Sequence, residues 1–319
     1  MPKIKTKTVY LCSSCGDDHP KWNGQCPSCN EWGTLSEFKV SKDRKIINQK
    51  SEKPIDLKSA YNTPQLERFL TKINEIDRVL GGGILPGSVI LLGGNPGIGK
   101  STLALQLLSK LKKISLYVSA EESKDQVAIR ADRLLIDSSH VHISSENNID
   151  YILDQCVQLK PSLLIIDSIQ TIYNDRLDAL PGSVSQIREC GQQLLQFAKQ
   201  NNTSILIIGH VTKEGTIAGP KMLEHMVDTV LYLEGDDRQD HRILRSDKNR
   251  FGNTHEVGIF QMEVNGLTEV SNPSELFLSE RQNKAPGSSI FPSVEGTRPI
   301  LLEVCLLYTS PSPRDSALS

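Results

Sequence analysis

The sequence has few aromatic residues, no long apolar run and no strong excess of one charge. Aromatic residues make up 5% of the 319 residues, and the formal net charge is −2 at neutral pH. A chain so close to neutrality has no overall basic surface, so any nucleic-acid contact must come from local patches. No stretch approaches the roughly 18 apolar residues of a membrane span, and residues 1–5 lack the apolar core of a signal peptide. We therefore expect a cytoplasmic protein that does not associate with membranes.

Cysteine is also scarce, and four of the seven cysteines lie close together near the start of the chain. They form two Cys-x-x-Cys pairs, Cys12 with Cys15 and Cys26 with Cys29, separated by ten residues. Two such pairs supply the four thiolates of a tetrahedral zinc site, and zinc binding can fold a module too small for its own core. A redox Cys-x-x-Cys motif would not need a second copy nearby, and it would be expected inside a βαβ pattern rather than outside one. The spacing predicts a four-cysteine zinc ribbon over residues 1–36, followed by a polar linker over 37–66.

A complete phosphate-binding loop is the most informative motif of the chain. It fits the pattern G-x-x-x-x-G-K-[ST], follows an apolar run at 89–92 and precedes an amphipathic stretch. Glycines allow consecutive backbone N–H groups to converge on phosphate oxygens, and the helix amino terminus adds partial positive charge. We expect Lys100 to contact the phosphates of ATP and the Ser101 hydroxyl to ligate Mg²⁺. The nucleotide-binding residues predicted from the motif are Gly94, Asn95, Pro96, Gly97, Ile98, Gly99, Lys100, Ser101 and Thr102.

Polar residues end three of the apolar runs that follow this loop. The runs alternate with helical patterns, which predicts an α/β domain over residues 67–272 with a mostly parallel sheet flanked by helices. Asp167 ends one run like a Walker B aspartate, and we expect it to order the Mg²⁺ shell. Glu121 and Glu122 end another; we favour Glu121 as the base that polarises the attacking water, with Glu122 left open. His210 follows a third run, where sensing the γ-phosphate and a structural role are equally compatible with the sequence.

The order of these motifs resembles the bacterial RadA (Sms) family of RecA-like ATPases. The similarity extends from Tyr10 to about Val304 and includes the segments 80–88 and 181–189. Its most diagnostic part is the pentapeptide Lys-Asn-Arg-Phe-Gly at 248–252. The resemblance implies a RecA-like P-loop ATPase core that assembles into a hexameric ring with ATP between subunits.

The resemblance also divides the residues of the site between two subunits. Lys100, Ser101, Glu121 and Asp167 would act within one subunit, whereas Lys248 and Arg250 would reach the phosphates from a neighbouring subunit as catalytic cations. Without the resemblance, Lys248 and Arg250 could equally belong to a charged hairpin surface.

The family implies that single-stranded DNA lies in the ring channel and that RecA and branched recombination intermediates are partners. The segments 172–188 and 211–223 follow strand ends, as the DNA-facing loops of RecA-like rings do. Ordinary mobile loops are the alternative interpretation. Few aromatics are available there for stacking, so bases would be read weakly or not at all. The candidate phosphate contacts are Arg176, Arg188, Lys213 and Lys221.

The last part of the sequence departs from the family pattern. Residues 273–304 resemble the opening strands of a Lon-protease-like domain, which we expect to be truncated here. Residues 305–319 resemble a translated sequencing adapter and are expected to be a non-native tail, the alternative being a divergent natural one.

Together these patterns predict a DNA-dependent ATPase of recombinational repair, of the translocase or helicase type, that uses ATP, Mg²⁺ and Zn²⁺. A RecA-like P-loop kinase and an ATP-gated scaffold are the alternatives. The kinase is disfavoured because the sequence shows no Arg-rich lid-like segment, whereas it has a zinc ribbon and the 248–252 motif.

Overall fold

The computed structural model describes residues 6–12, 17–41, 56, 67–137, 139–210, 220–235, 240–274, 278 and 288–305. Cys15, Lys213, residues 306–319 of the predicted tail and most of the predicted linker lie outside these ranges. The strands are β1 Thr6–Cys12, β2 Asp18–His19, β3 Leu35–Ser41, β4 Val89–Gly94, β5 Ser115–Ser119, β6 Val141–Ser144, β7 Leu163–Asp167, β8 Ser204–Ile208, β9 Thr229–Glu234, β10 His241–Asn249, β11 Val257–Glu263, β12 Gly266–Glu269, β13 Ser288–Glu295 and β14 Arg298–Cys305. The helices are α1 Asn74–Leu80, α2 Lys100–Leu111, α3 Lys124–Arg133, α4 Ile149–Leu159, α5 Val184–Asn201 and α6 Pro220–Met226.

A nine-stranded sheet in the order β12-β11-β10-β9-β4-β8-β7-β5-β6 forms the centre of the ATPase region. Neighbouring strands are parallel from β9 to β6, whereas β10, β11 and β12 extend one edge as antiparallel strands. Strands of a parallel sheet are buried on both faces and read as continuous apolar runs. β4, β7 and β8 fit this description, since every one of their residues is buried. The predicted α/β fold with a mostly parallel sheet is confirmed.

Helices cover both faces of this sheet. Successive side chains of a strand point to opposite faces. Accordingly, Ile90 and Leu92 of β4 belong to an apolar cluster with α1 and α2, while Val89 and Leu91 belong to a second cluster with α4 and α5. Among the described residues, no helix combines the length and apolar character that a membrane span requires.

The amino-terminal module is a three-stranded sheet with β1 between β2 and β3. β3 pairs with β1 as far as Ser41, which lies five residues into the linker predicted at 37–66. The described residues of this module form a small buried core of Cys12, Cys26 and Leu35. A core of this size cannot by itself supply much folding free energy, so a metal is physically well placed to stabilise the module.

The β13–β14 hairpin packs against the ATPase region through its turn. Arg298, at the start of β14, is buried and forms an ion pair with the equally buried Glu75 of α1. The Arg298 guanidinium also donates to the carbonyl of Val270 at 3.0 Å, and Glu75 Oε2 accepts the N–H of Ile259 at 2.7 Å. Both charges are therefore compensated by hydrogen bonds inside the protein.

Candidate nucleotide and zinc sites

The phosphate-binding loop lies between the end of β4 and the start of α2. Gly94 ends β4 with φ of 150°, and a Cβ there would lie 2.5 Å from the carbonyl oxygen of Leu233. Gly99 precedes α2 with φ of 114°, a conformation that residues with side chains rarely adopt. The backbone therefore needs glycine at these two positions in order to curl and aim its N–H groups at an anion.

Lys100 is the first residue of α2, and its side chain folds back over the loop. Its Nζ donates to the carbonyl oxygens of Gly94 at 2.7 Å and Asn95 at 2.8 Å. Burial lowers the pKa of Lys100 to about 8, although the carboxylates of Asp167 and Glu121 act to raise it. The ammonium thus lies between the loop and the two carboxylates that sequence reasoning assigns to the same site.

Asp167 ends β7 on the edge of the sheet where the phosphate-binding loop begins. It is paired with Ser119 in the parallel register of β5 and β7, which aligns the ends of these strands. The buried hydroxyl of Tyr117 donates to Asp167 Oδ2. Burial and the neighbouring Asp167 carboxylate raise the pKa of Tyr117 well above its usual range, and the nearby Ser101 side chain acts against this shift. Hydroxyl and carboxylate oxygens are ligands that Mg²⁺ prefers, so Ser101 and Asp167 fit the predicted metal.

Glu121 and Glu122 have different surroundings. Ser168 donates its hydroxyl to Glu121 Oε1 at 2.5 Å, and His210 Nε2 lies 3.5 Å from the same oxygen. Glu122 instead forms an ion pair with Arg130 of α3. Because the N–H of Gly209 donates to the carbonyl of Leu92 at 3.0 Å, His210 is held beside the phosphate-binding strand. Of the two carboxylates, Glu121 is the one that faces the other polar groups of the site.

Lys248 and Arg250 lie at the opposite end of the sheet from the phosphate-binding loop of their own protomer. The backbone N–H of Arg250 donates to the carbonyl of Asp228, whose own N–H donates to the carbonyl of Val89, the first residue of β4. The loop begins at Gly94, the last residue of β4, about 16 Å further along the strand. These two cations therefore do not meet the nucleotide site of the same chain.

Both cations have partners where they lie. Lys248 Nζ donates to the carbonyl oxygens of Glu224 at 2.6 Å and Val227 at 2.9 Å at the carboxyl end of α6. Burial and the neighbouring Arg250 lower the pKa of Lys248, while Asp228 and Glu224 oppose this shift. Arg250 Nη1 lies 3.3 Å from Asp228 Oδ1 and is about half exposed.

The structure describes the side chains of two of the four candidate DNA contacts, and each of the two lies beside a carboxylate. Arg176 pairs with Asp150 at 2.7 Å, and Arg188 lies 3.5 Å from Asp18 of the zinc-ribbon module. Lys213 and the side chain of Lys221 lie outside the described residues.

Sequence reasoning missed three residues that shape the site. Tyr117 reads as an ordinary core aromatic in an apolar run, and Ser168 has no signal beyond its position after Asp167. Arg242 of β10 is buried, and its Nε donates to the carbonyl of Ile98 in the phosphate-binding loop at 3.2 Å. Its only sequence signal is an arginine within a pattern typical of an alternating strand. The structure shows that this position of β10 is buried.

The zinc-ribbon module brings three of its four candidate ligands together. The sulfur atoms of Cys12, Cys26 and Cys29 all lie within 4.8 Å of one another, and Cys15 lies outside the described residues. Burial acts to raise the pKa of the Cys26 thiol, but backbone hydrogen bonds from Cys29 and Ser28, together with the side chains of His19 and Cys12, outweigh it and lower this pKa to about 6. A thiolate is the form that binds metal, so the donor set fits Zn²⁺.

The two remaining cysteines of the described core have the opposite chemistry. Cys156 and Cys190 are buried in α4 and α5, and burial raises the pKa of each thiol to about 12. They are inert buried thiols, as their apolar sequence context predicts.

The fold and the phosphate-binding loop define a RecA-like P-loop ATPase that carries a metal-binding ribbon. Residues 58–216 match the AAA domain family, and residues 10–37 match the rubredoxin metal binding domain family. A KaiC-like protein from Pyrococcus horikoshii OT3 has a similar structure, with a TM-score of 0.52 and 20% identity over 64% of this chain and 99% of that chain. The RadB recombinase gives a TM-score of 0.51 and 21% identity over 64% of this chain and 100% of that chain.

Sequence relatives identify the family within this class. The DNA repair protein RadA of Bacillus subtilis is 49% identical over an alignment of 318 residues, with 97% of this chain and 69% of that protein covered. The DNA repair protein RadA of Rickettsia bellii is 49% identical over 324 residues, with 98% of this chain and 72% of that protein covered. The chain belongs to the RadA family.

Proposed function

We propose that this protein is a DNA-dependent ATPase of recombinational DNA repair. The observation that carries the proposal is the convergence of Lys100, Asp167 and Glu121 at the strand ends beside the phosphate-binding loop. The relatives in the RadA family are named as DNA repair proteins, which supports a role in DNA metabolism. Within that role, the finer activity we propose is translocation on single-stranded DNA and branch migration of recombination intermediates, with RecA as partner.

The chemistry follows from the positions of the side chains. Loop N–H groups and the Lys100 ammonium would bind the phosphates, while Ser101 and Asp167 would hold Mg²⁺, which neutralises phosphate charge when bound. Glu121 would take a proton from water as the water oxygen bonds to the γ-phosphorus and the bond to ADP breaks. Ser168 hydrogen-bonds to Glu121 and His210 lies 3.5 Å from the same oxygen, so both would orient this carboxylate.

The site would be completed by a second protomer. Lys248 and Arg250 lie far from their own loop, so within a hexameric ring they would stabilise the phosphates bound by the neighbouring chain. Arg176, Arg188, Lys213 and Lys221 would contact the DNA backbone, with Arg176 and Arg188 exchanging their carboxylate partners for phosphate.

We expect single-stranded DNA to raise the rate of ATP hydrolysis, measured by phosphate release at rising DNA concentration. Phosphate contacts release counterions, so the stimulation should fall steeply between about 50 and 200 mM salt. Lys100→Ala gives the background rate. Turnover that is indifferent to DNA, or transfer of labelled phosphate from ATP to an acceptor other than water, would contradict the proposal.

A subunit-mixing experiment tests the shared site. Glu121→Gln and Arg250→Ala protomers are each expected to be inactive alone, yet an equal mixture places an intact Glu121 opposite an intact Arg250 at about a quarter of head-to-tail interfaces. We therefore expect the mixture to recover about a quarter of the parental ATPase rate if the sites act independently.

The matched control mixes Glu121→Gln with Lys100→Ala. Both changes affect the same protomer's side of the site, so no interface of this mixture is complete and no activity should return. If the Glu121→Gln and Arg250→Ala mixture recovers no more activity than this control, the trans role of Arg250 is wrong.

A further inference from the structure

Tyr117 is the largest fully buried side chain among the residues that the structure describes, and it lies beneath the nucleotide site. It occupies the middle of β5, paired with Ile165 of β7 and Ile143 of β6. Its ring belongs to the apolar cluster that β4 and α2 share. A phenylalanine would suit this cluster equally well, so packing alone does not explain the hydroxyl.

The hydroxyl of Tyr117 has a specific polar partner. It donates to Asp167 Oδ2 at the end of β7. A buried hydroxyl is costly unless it is hydrogen-bonded, and this partner is the carboxylate expected to order the Mg²⁺ shell. The Ser101 side chain of α2 lies near enough to the same phenol to influence its pKa.

We propose that Tyr117 is a positioning residue for the Mg²⁺ site. Its hydroxyl fixes the rotamer of Asp167, so that the carboxylate oxygens are already oriented when Mg²⁺ arrives with the nucleotide. This inference rests on the proposed ATPase function, because the metal is needed there to bind and neutralise the phosphates. Outer hydrogen bonds of this kind orient metal ligands and tune metal affinity.

Tyr117→Phe tests the proposal because it keeps the ring and removes only the hydroxyl. The measurement is the binding of a fluorescent ATP analogue, followed first in EDTA and then during titration with Mg²⁺. We expect unchanged binding in EDTA, since the loop and Lys100 are untouched. The Mg²⁺ concentration that gives half of the metal-dependent gain should rise about tenfold.

Tyr232→Phe is the matched control. Tyr232 also donates its hydroxyl to a carboxylate, Glu224, at 2.7 Å, but it is only partly buried and its hydroxyl is not hydrogen-bonded to Asp167. Its Mg²⁺ titration should coincide with that of the parent.

Steady-state turnover of Tyr117→Phe should show a raised Mg²⁺ requirement with kcat largely restored at saturating Mg²⁺.

An Mg²⁺ titration of Tyr117→Phe that coincides with that of Tyr232→Phe would overturn the proposal, as would weaker binding in EDTA. A parent protein whose nucleotide binding does not respond to Mg²⁺ would overturn it too. Because the readout needs neither hydrolysis nor DNA, a protein that binds Mg²⁺–ATP without DNA-stimulated turnover would refute the proposed function and leave the role of Tyr117 supported.

Discussion

Glu121→Gln is expected to lower the maximal rate of ATP hydrolysis about a thousandfold while ATP binding stays near that of the parent. Glutamine keeps the size of the side chain and can still accept the hydrogen bond that Ser168 donates at 2.5 Å. It cannot take a proton from water, so the loss falls on the chemical step. Phosphate release measures the rate, and fluorescence of a bound ATP analogue measures the affinity.

Glu122→Gln is the control for this prediction, because it removes a charge one residue away. Glu122 pairs with Arg130 rather than with the polar groups of the nucleotide site. We expect its turnover to remain within a small factor of the parent. Should Glu122→Gln abolish hydrolysis while Glu121→Gln retains it, the assignment of the base would be reversed.

Arg298→Ala should lower the free energy of unfolding by about 3–5 kcal/mol, because it leaves the buried carboxylate of Glu75 without its cation. The Arg298 side chain is 7% exposed and that of Glu75 is 5% exposed, so water cannot replace the lost partner. Urea denaturation measures the loss. Hydrogen exchange across 288–305 should show that the β13–β14 hairpin separates from the ATPase region first.

Arg245→Ala is the matched surface change near the same turn. Arg245 lies 3.3 Å from Glu295, but the two side chains are 38% and 46% exposed. A solvated pair of this kind contributes about 0–1 kcal/mol. The combined change Arg298→Met with Glu75→Gln should recover much of the stability, since it removes both charges. Equal losses for Arg298→Ala and Arg245→Ala would show that the buried pair does not anchor the hairpin.

The central strands of the sheet were predictable because each is a continuous apolar run. The apolar run at 89–92 lies in β4, the run that Asp167 ends is β7, and the run before His210 is β8. Such runs need no partner to be recognised, because a strand buried on both faces is apolar throughout. The phosphate-binding loop was equally predictable, because local backbone geometry requires its glycines.

The antiparallel edge and the polar network were not predictable from local pattern. β10 alternates between buried and partly exposed positions and contains arginine at a buried one, Arg242, so it does not read as a core strand. The register between β9 and β10 decides where Lys248 and Arg250 lie, and registers of this kind depend on residues distant in sequence. The hydroxyl of Tyr117 can hydrogen-bond to Asp167 only because β5 and β7 are adjacent in the sheet.

The placement of the phosphate-binding loop and of Lys248 and Arg250 at opposite ends of one sheet restricts the symmetry of any assembly that uses both. In a two-fold dimer, residue i of one chain contacts residue j of the other and the reverse, so the loop could meet the partner's cations only through one interface that spans both ends of the sheet. A head-to-tail contact needs only one end of each chain at each interface, and it repeats at every added subunit. Such a contact closes into a ring or continues as an open helix, and each protomer carries half of two different sites.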